Sequence, residues 1–146
     1  MTKLRAIHPD FQYLLDFKEQ EIIDLYSDLR QYILELYPDS NELLYHTHAL
    51  TVVFSISEKL GDAFCHIPVY SEHINLGFNK GTLLNDPHSL LKGTGKLIRY
   101  IEVKQQRDYR NSKVETLTKE AIEFAINDMD KPTKSIGKTI SKIKKK

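Results

Sequence analysis

Between Ala49 and Asn79 three segments alternate apolar and polar residues, and the connections between them are too short for any crossover. In ALTVVFSIS, Val52, Phe54 and Ile56 oppose Val53, Ser55 and Ser57. In AFCHIPVY, Cys65, Ile67 and Val69 oppose His66 and Tyr70, and in HINLGFN, Ile74, Leu76 and Phe78 oppose Asn75 and Gly77. A period of two marks a strand with one buried face. EKLGD joins the first segment to the second, and only Ser71 and Glu72 join the second to the third. A parallel crossover needs about a dozen residues, so the three strands form an antiparallel meander. A fourth strand, KLIRYIEV, is expected from about Lys96 to Val103, after a run of turns, NKGTLLNDPHSLLKGTGK, with one helical turn at Pro87 to Leu91.

On either side of the strands the period changes. From Asp16 to Pro38, Ile22, Leu25, Tyr26, Leu29, Ile33 and Leu36 fall on one stripe at about 100° per residue, while Glu21, Asp24, Asp28 and Glu35 fall on another. This is an amphipathic helix, and Pro38 ends it. A second helix is expected from Val114 to Met129, with Leu117, Ala121, Phe124 and Ala125 at helical spacing. The expected fold is therefore α+β: a four-stranded or larger antiparallel sheet packed by an N-terminal and a C-terminal helix as a two-layer sandwich. A chain of 146 residues is one domain able to fold on an ordinary core. Its single cysteine, Cys65, has no intramolecular disulfide partner and reads as a small core residue. MTKLRAIHPD turns polar before any apolar signal region develops, and no apolar run approaches a membrane span. The cytoplasm is the expected compartment. Edge strands of such a sheet offer a route to a homodimer.

The net charge of +1 conceals a split. Residues 131 to 146 hold seven lysines and no acid, whereas residues 1 to 130 carry 14 basic and 20 acidic groups. Ile136, Ile140 and Ile143 have helical spacing, yet three isoleucines cannot hold a helix in water without a surface to pack on, so a flexible solvated tail is the preferred reading. Its other use is a weak, nonspecific, salt-dependent contact with an acidic surface such as nucleic acid or membrane. The tail has no aromatic residue for base stacking.

Residues 73 to 103, HINLGFNKGTLLNDPHSLLKGTGKLIRYIEV, resemble the YdhG-like family of small bacterial proteins, a domain of unknown function. The recurring elements are Gly77-Phe78, Gly81, Asp86-Pro87, Leu90-Leu91, Gly93-Thr94-Gly95-Lys96 and Arg99. ELLYHTHALTVVFSISEKLGDAFCHIPVY is similar to the same family, so the resemblance covers about residues 40 to 103. It implies the α+β fold and no particular reaction. One branch of these proteins is regarded as frataxin-like, which implies iron handling through an acidic helix.

The residues with chemical potential have plain alternatives. The GTGK at Gly93 to Lys96 is not a phosphate loop, because Leu97 follows and a strand begins; turn glycines are the better reading. Alternation places Arg99 beside Leu97, Ile101 and Val103, where its five donors need a carboxylate or several carbonyls, and Asp86 is the candidate partner. A slip of one residue would turn Arg99 to solvent. His46, His48, His66 and His73 lack the spacing of a metal signature, and Cys65 faces away from His66. Glu21, Asp24, Asp28 and Glu35 could share a cation, although such a stripe is more often a solvated helix face.

No nucleophile, base and orienting group assemble from these motifs. The preferred function is a noncatalytic module holding a small ligand or protein partner between the sheet and the Asn79 to Lys96 loop, lined by Tyr45, His73, Lys96, Arg99 and Tyr100. The alternative is a frataxin-like carrier that holds iron loosely on Glu21, Asp24, Asp28 and Glu35.

Overall fold

A computed structural model describes residues 5–130 and 135–144. The chain runs α1 (Pro9–Leu15), α2 (Gln20–Leu36), β1 (Asn41–His46), β2 (Leu50–Ser55), β3 (Ala63–Val69), β4 (Ile74–Phe78), β5 (Arg99–Val103), α3 (Ser112–Asp128) and β6 (Thr139–Ser141). The strands form one sheet in the order β5-β4-β3-β2-β1-β6. The first five are an antiparallel meander, and β6 lies parallel to β1. The expected α+β architecture is present.

Local chemistry sets the element boundaries. Pro9 opens α1, its fixed φ suiting a first helical position, and His8 Nδ1 accepts the Asp10 amide at 3.0 Å. Lys18 N donates back to Leu15 O and breaks the helix there, so the predicted helix from Asp16 starts only at Gln20. The helix around Val114 begins at Ser112, where Asn111 Oδ1 accepts the Val114 amide at 2.9 Å, an N-cap bond. Tyr70 N donates to His73 O at 2.9 Å and closes the β3–β4 hairpin over Ser71 and Glu72, as the spacing predicts.

The helices pack on one sheet face. Phe54, Cys65, Ile67, Ile74 and Leu76 point into the core against Tyr26, Leu29 and Ile33 of α2 and Leu117 and Ala121 of α3. Cys65 is fully buried, which pushes its thiol pKa up, in keeping with a core role. On the opposite face Leu43, Val53 and Ala63 form a smaller cluster with Tyr45 and Ile140.

The lysine-rich segment departs from the solvated reading. Within residues 135–144, Glu42 N donates to Lys138 O and Lys142 N to Leu44 O, each at 2.8 Å, which makes Thr139–Ser141 a strand. Asn41 ties the approach to that strand, its Nδ2 donating to Ser135 O and its Oδ1 accepting from Lys138 N. The remainder of the tail, residues 131–134 and 145–146, lies outside the described residues.

A buried ion pair joins these parts. Glu42 shares the core side of β1 with Leu44, and its carboxylate accepts Arg30 Nε at 2.7 Å and Nη2 at 2.9 Å. Arg30 also donates to the carbonyls of Arg5 and Ala6, and Thr139 Oγ1 donates to Glu42 Oε1 at 3.0 Å. One carboxylate thus links α2, the N-terminal segment, β1 and β6.

Candidate functional site

The loop between β4 and β5 spans twenty residues and contains only a single helical turn, at Gly81–Leu83 rather than at Pro87 to Leu91. A connection of that length is usually functional or disordered, and this one is pinned throughout. Thr82 N donates to Leu97 O and Thr82 Oγ1 to Lys96 O, both at 3.0 Å, which ties the two ends of the loop together. Lys92 and Tyr100 exchange backbone hydrogen bonds of 2.8 and 2.9 Å, which lays the loop along the β5 edge. Gly93 takes φ +128°, the left-handed region that glycine alone enters cheaply, while Gly95 does not share it.

Arg99 and Asp86 both hold this loop, but not through each other. Arg99 Nη1 donates to the carbonyls of Gly95 and Ile98 at 2.7 and 2.8 Å, and the Asp86 carboxylate accepts the Leu90 and Leu91 amides at 2.9 Å each. No ion pair joins the two among the described residues. Gly81 fits beneath Arg99 so closely that a Cβ there would lie 2.5 Å from Arg99 Cβ and 2.9 Å from Arg99 N. The carbonyl solution wins because Arg99 is the first residue of β5, at the sheet edge, where the preceding loop carbonyls are nearest.

The loop leaves aliphatic side chains in water. Leu83, Leu97 and Ile98 are 53%, 44% and 49% exposed, and the Thr82 bonds put residues 82–83 and 96–98 side by side. Residues 79–99 carry Lys80, Lys92, Lys96 and Arg99 against the single acid Asp86, within a domain body that is otherwise acidic. Lys80 is paired with Asp128 of α3, and Lys92 lies 3.7 Å from Glu102; Lys96 is exposed.

The five ligand candidates are not gathered into one cavity. Tyr45 on β1 and Tyr100 on β5 stand four strands apart, about 19 Å at the usual spacing. His73 is at the far end of β4 from the loop, its ring stacked on Tyr70 with centroids 4.7 Å apart. Only Lys96, Arg99 and Tyr100 belong to the loop region. Comparison with family models, curated proteins and solved structures finds no match to this chain.

The acidic stripe of α2 is divided as well. Glu21 and Asp24 line an open cleft of about 420 Å³ of mixed character, together with Glu72, His73 and Lys104 and the apolar Ile22, Leu25 and Val103. Asp28 instead accepts Arg110 Nε and Nη2 at 2.8 and 3.0 Å and the Tyr109 hydroxyl, and the hydrogen bond from Arg110 holds its carboxyl below the usual range. Glu35 is exposed. Among the described residues no three His, Cys, Asp or Glu side chains converge as a metal-holding group. No helix there is long and apolar enough to cross a membrane.

The histidines are dispersed too. His46 and His48 are exposed at the β1–β2 turn. His66 lies across Gly77 on the face away from the helices, with Nδ1 2.9 Å from Asn79 Oδ1. Since an amide oxygen only accepts, Nδ1 carries the proton, and burial pushes the imidazole below its ordinary pKa against the pull of that hydrogen bond.

Two features escaped the sequence reading. The exposed aliphatics at 83, 97 and 98 carry no periodic signal, although an apolar pair beside GTGK is a hint that Leu97-Ile98 is not wholly inside the sheet. The Arg30–Glu42 pair had one signal: Arg30 sits at the edge of the apolar stripe of α2, where a cation needs a buried acid.

Proposed function

We propose that this protein is a noncatalytic binding module whose contact surface is the loop at residues 80–98, and that its partner is a protein segment combining acidic and apolar side chains. The observation that carries the reading is the joint exposure of Leu83, Leu97 and Ile98 on a pinned, basic loop. These side chains project outward instead of lining a hollow, which suits a macromolecular surface better than a small ligand. Covering a leucine or isoleucine completely is worth roughly 1.5–3 kcal/mol, so part-burial of three gives a modest affinity that charge can steer. The YdhG-like resemblance fits this placement, since Gly81, Asp86-Pro87, Gly93 to Lys96 and Arg99 all fall on the loop or its anchor.

The test is an amide NMR titration with a synthetic peptide bearing leucine and phenylalanine at helical spacing on a Glu/Asp background. Shifts at residues 80–84 and 92–100 that vanish in Leu97→Asp and weaken with salt support the module. Identical behaviour of Leu97→Asp and the parent chain refutes it.

A second reading, loose cation carriage of the frataxin-like kind, draws on the cleft lined by Glu21, Asp24, Glu72 and His73, which border it without converging on one point. It predicts that ferrous ion broadens Glu21, Asp24 and His73 where magnesium does not. Asp28, held by Arg110, takes no part in it.

A further inference from the structure

A groove of about 580 Å³ runs between α1 and the docked C-terminal segment, at the opposite edge of the sheet from the loop. Its volume is in the range of sites that bury small organic ligands, roughly 300–1,000 Å³. Tyr13 and Leu14 form one wall and Ile143 the other, and the polar groups on its margin are His46, Lys144 and Asp10. Asp10 is already engaged, its carboxylate accepting Ser141 Oγ at 2.7 Å. Lys144 is exposed, and the described residues 135–144 bring Lys138, Lys142 and Lys144 to this edge, Lys138 being paired with Glu58 at 3.2 Å. Beside the groove, Tyr13 and Phe17 are 67% and 75% exposed and meet edge to face at 5.5 Å.

We propose that this groove binds a small amphipathic anion, an aliphatic chain or ring carrying one carboxylate. The apolar body lies between Tyr13 and Ile143, and the carboxylate is received by Lys144 and the His46 imidazole. Charge complementarity favours the anion: Lys142 and Lys144 are exposed on the docked segment, and the Asp10 carboxylate on the margin accepts the Ser141 hydroxyl. A bilayer is the poorer occupant, because Asp16 and Glu19 flank Phe17 and would be pressed against acidic headgroups. This site is separate from the loop surface and does not depend on it.

The test is an amide NMR titration of the full chain with octanoate below its micellar range, with octanol and octylamine as charge controls. The expected result is saturable shifts at residues 9–17, 46 and 141–144 with octanoate, weaker binding of octanol and none of octylamine. Lys144→Glu, a change at an exposed position, should loosen octanoate about fivefold, the upper range for an exposed ion pair. Tyr13→Ala should loosen octanoate and octanol alike, and Leu97→Asp should change neither. Octylamine binding as well as octanoate, or octanoate shifts that miss these residues, overturns the proposal. Binding only to vesicles containing phosphatidylglycerol, or concentration-dependent shifts at the groove without ligand, would assign it to a membrane or to a second copy and overturn it equally.

Discussion

Replacing Glu42 with glutamine should cost the fold about 3–5 kcal/mol, the usual range when one partner of a buried ion pair is removed. The Arg30 and Glu42 side chains are only 6% and 1% exposed, so no solvent replaces the lost charge. The carboxylate receives Arg30 Nε, Arg30 Nη2 and Thr139 Oγ1, with Arg5 Nη1 further off at 3.5 Å. Glutamine keeps one acceptor oxygen and presents an NH2 to the same donors, leaving a buried guanidinium with no counter-charge, held by neutral oxygens that include the carbonyls of Arg5 and Ala6. At about 2–4 °C per kcal/mol for a domain near this size, Tm should fall by about 6–20 °C. Urea unfolding at pH 7 measures the loss directly. The double variant Arg30→Met, Glu42→Leu should lose less than the two singles added together, because it removes both charges. A loss below about 1 kcal/mol for Glu42→Gln, or strict additivity in the cycle, would refute the view that this pair ties α2 to β1 and β6.

The remaining predictions concern the tail, the loop and His66. A chain ending at Asp130 should lose roughly 1–3 kcal/mol in urea, because β6, the Asn41 bonds and the Thr139 contact to Glu42 go with the tail. Gly81→Ala should cost about 1–3 kcal/mol and increase amide exchange across residues 82–98, since the new Cβ meets Arg99 Cβ at 2.5 Å and Arg99 N at 2.9 Å, atoms fixed to the β5 backbone rather than a side-chain end that can move aside. Because the folded pKa of His66 is depressed, the unfolded chain takes up the proton first as pH falls below about 6.5. That part of the stability is complete above this pH and is lost as pH falls toward the depressed folded value. His66→Gln should flatten the slope of unfolding free energy between pH 7 and 5.5; an unchanged slope would mean that His66 is not held neutral.

The meander was legible because Val52, Phe54, Cys65, Ile67, Ile74 and Leu76 alternate cleanly above one core. β1 was not, since Leu43 and Leu44 are both buried, one on each face, and the period of two disappears. β6 was harder still. Thr139–Ser141 has no apolar alternation of its own and becomes a strand through pairing with residues almost a hundred positions earlier. α1 announced itself only through His8-Pro9-Asp10, a capping signal on a helix too short to show a period. Among the site residues, alternation gave Arg99 its side of the sheet correctly, but the strand pattern carried no information about the loop carbonyls that satisfy it. Asp86 bonds to amides four and five residues on, a local habit of aspartate that competes with any distant partner.

The proposed contact surface is the loop at residues 80–98. The most direct measurement is the amide NMR titration with the acidic amphipathic peptide, run beside ferrous ion on the same sample. The peptide should shift residues 80–84 and 92–100 in the parent chain and leave Leu97→Asp unmoved. The proposal is contradicted if the loop stays still with peptide while ferrous ion alone perturbs Glu21, Asp24 and His73.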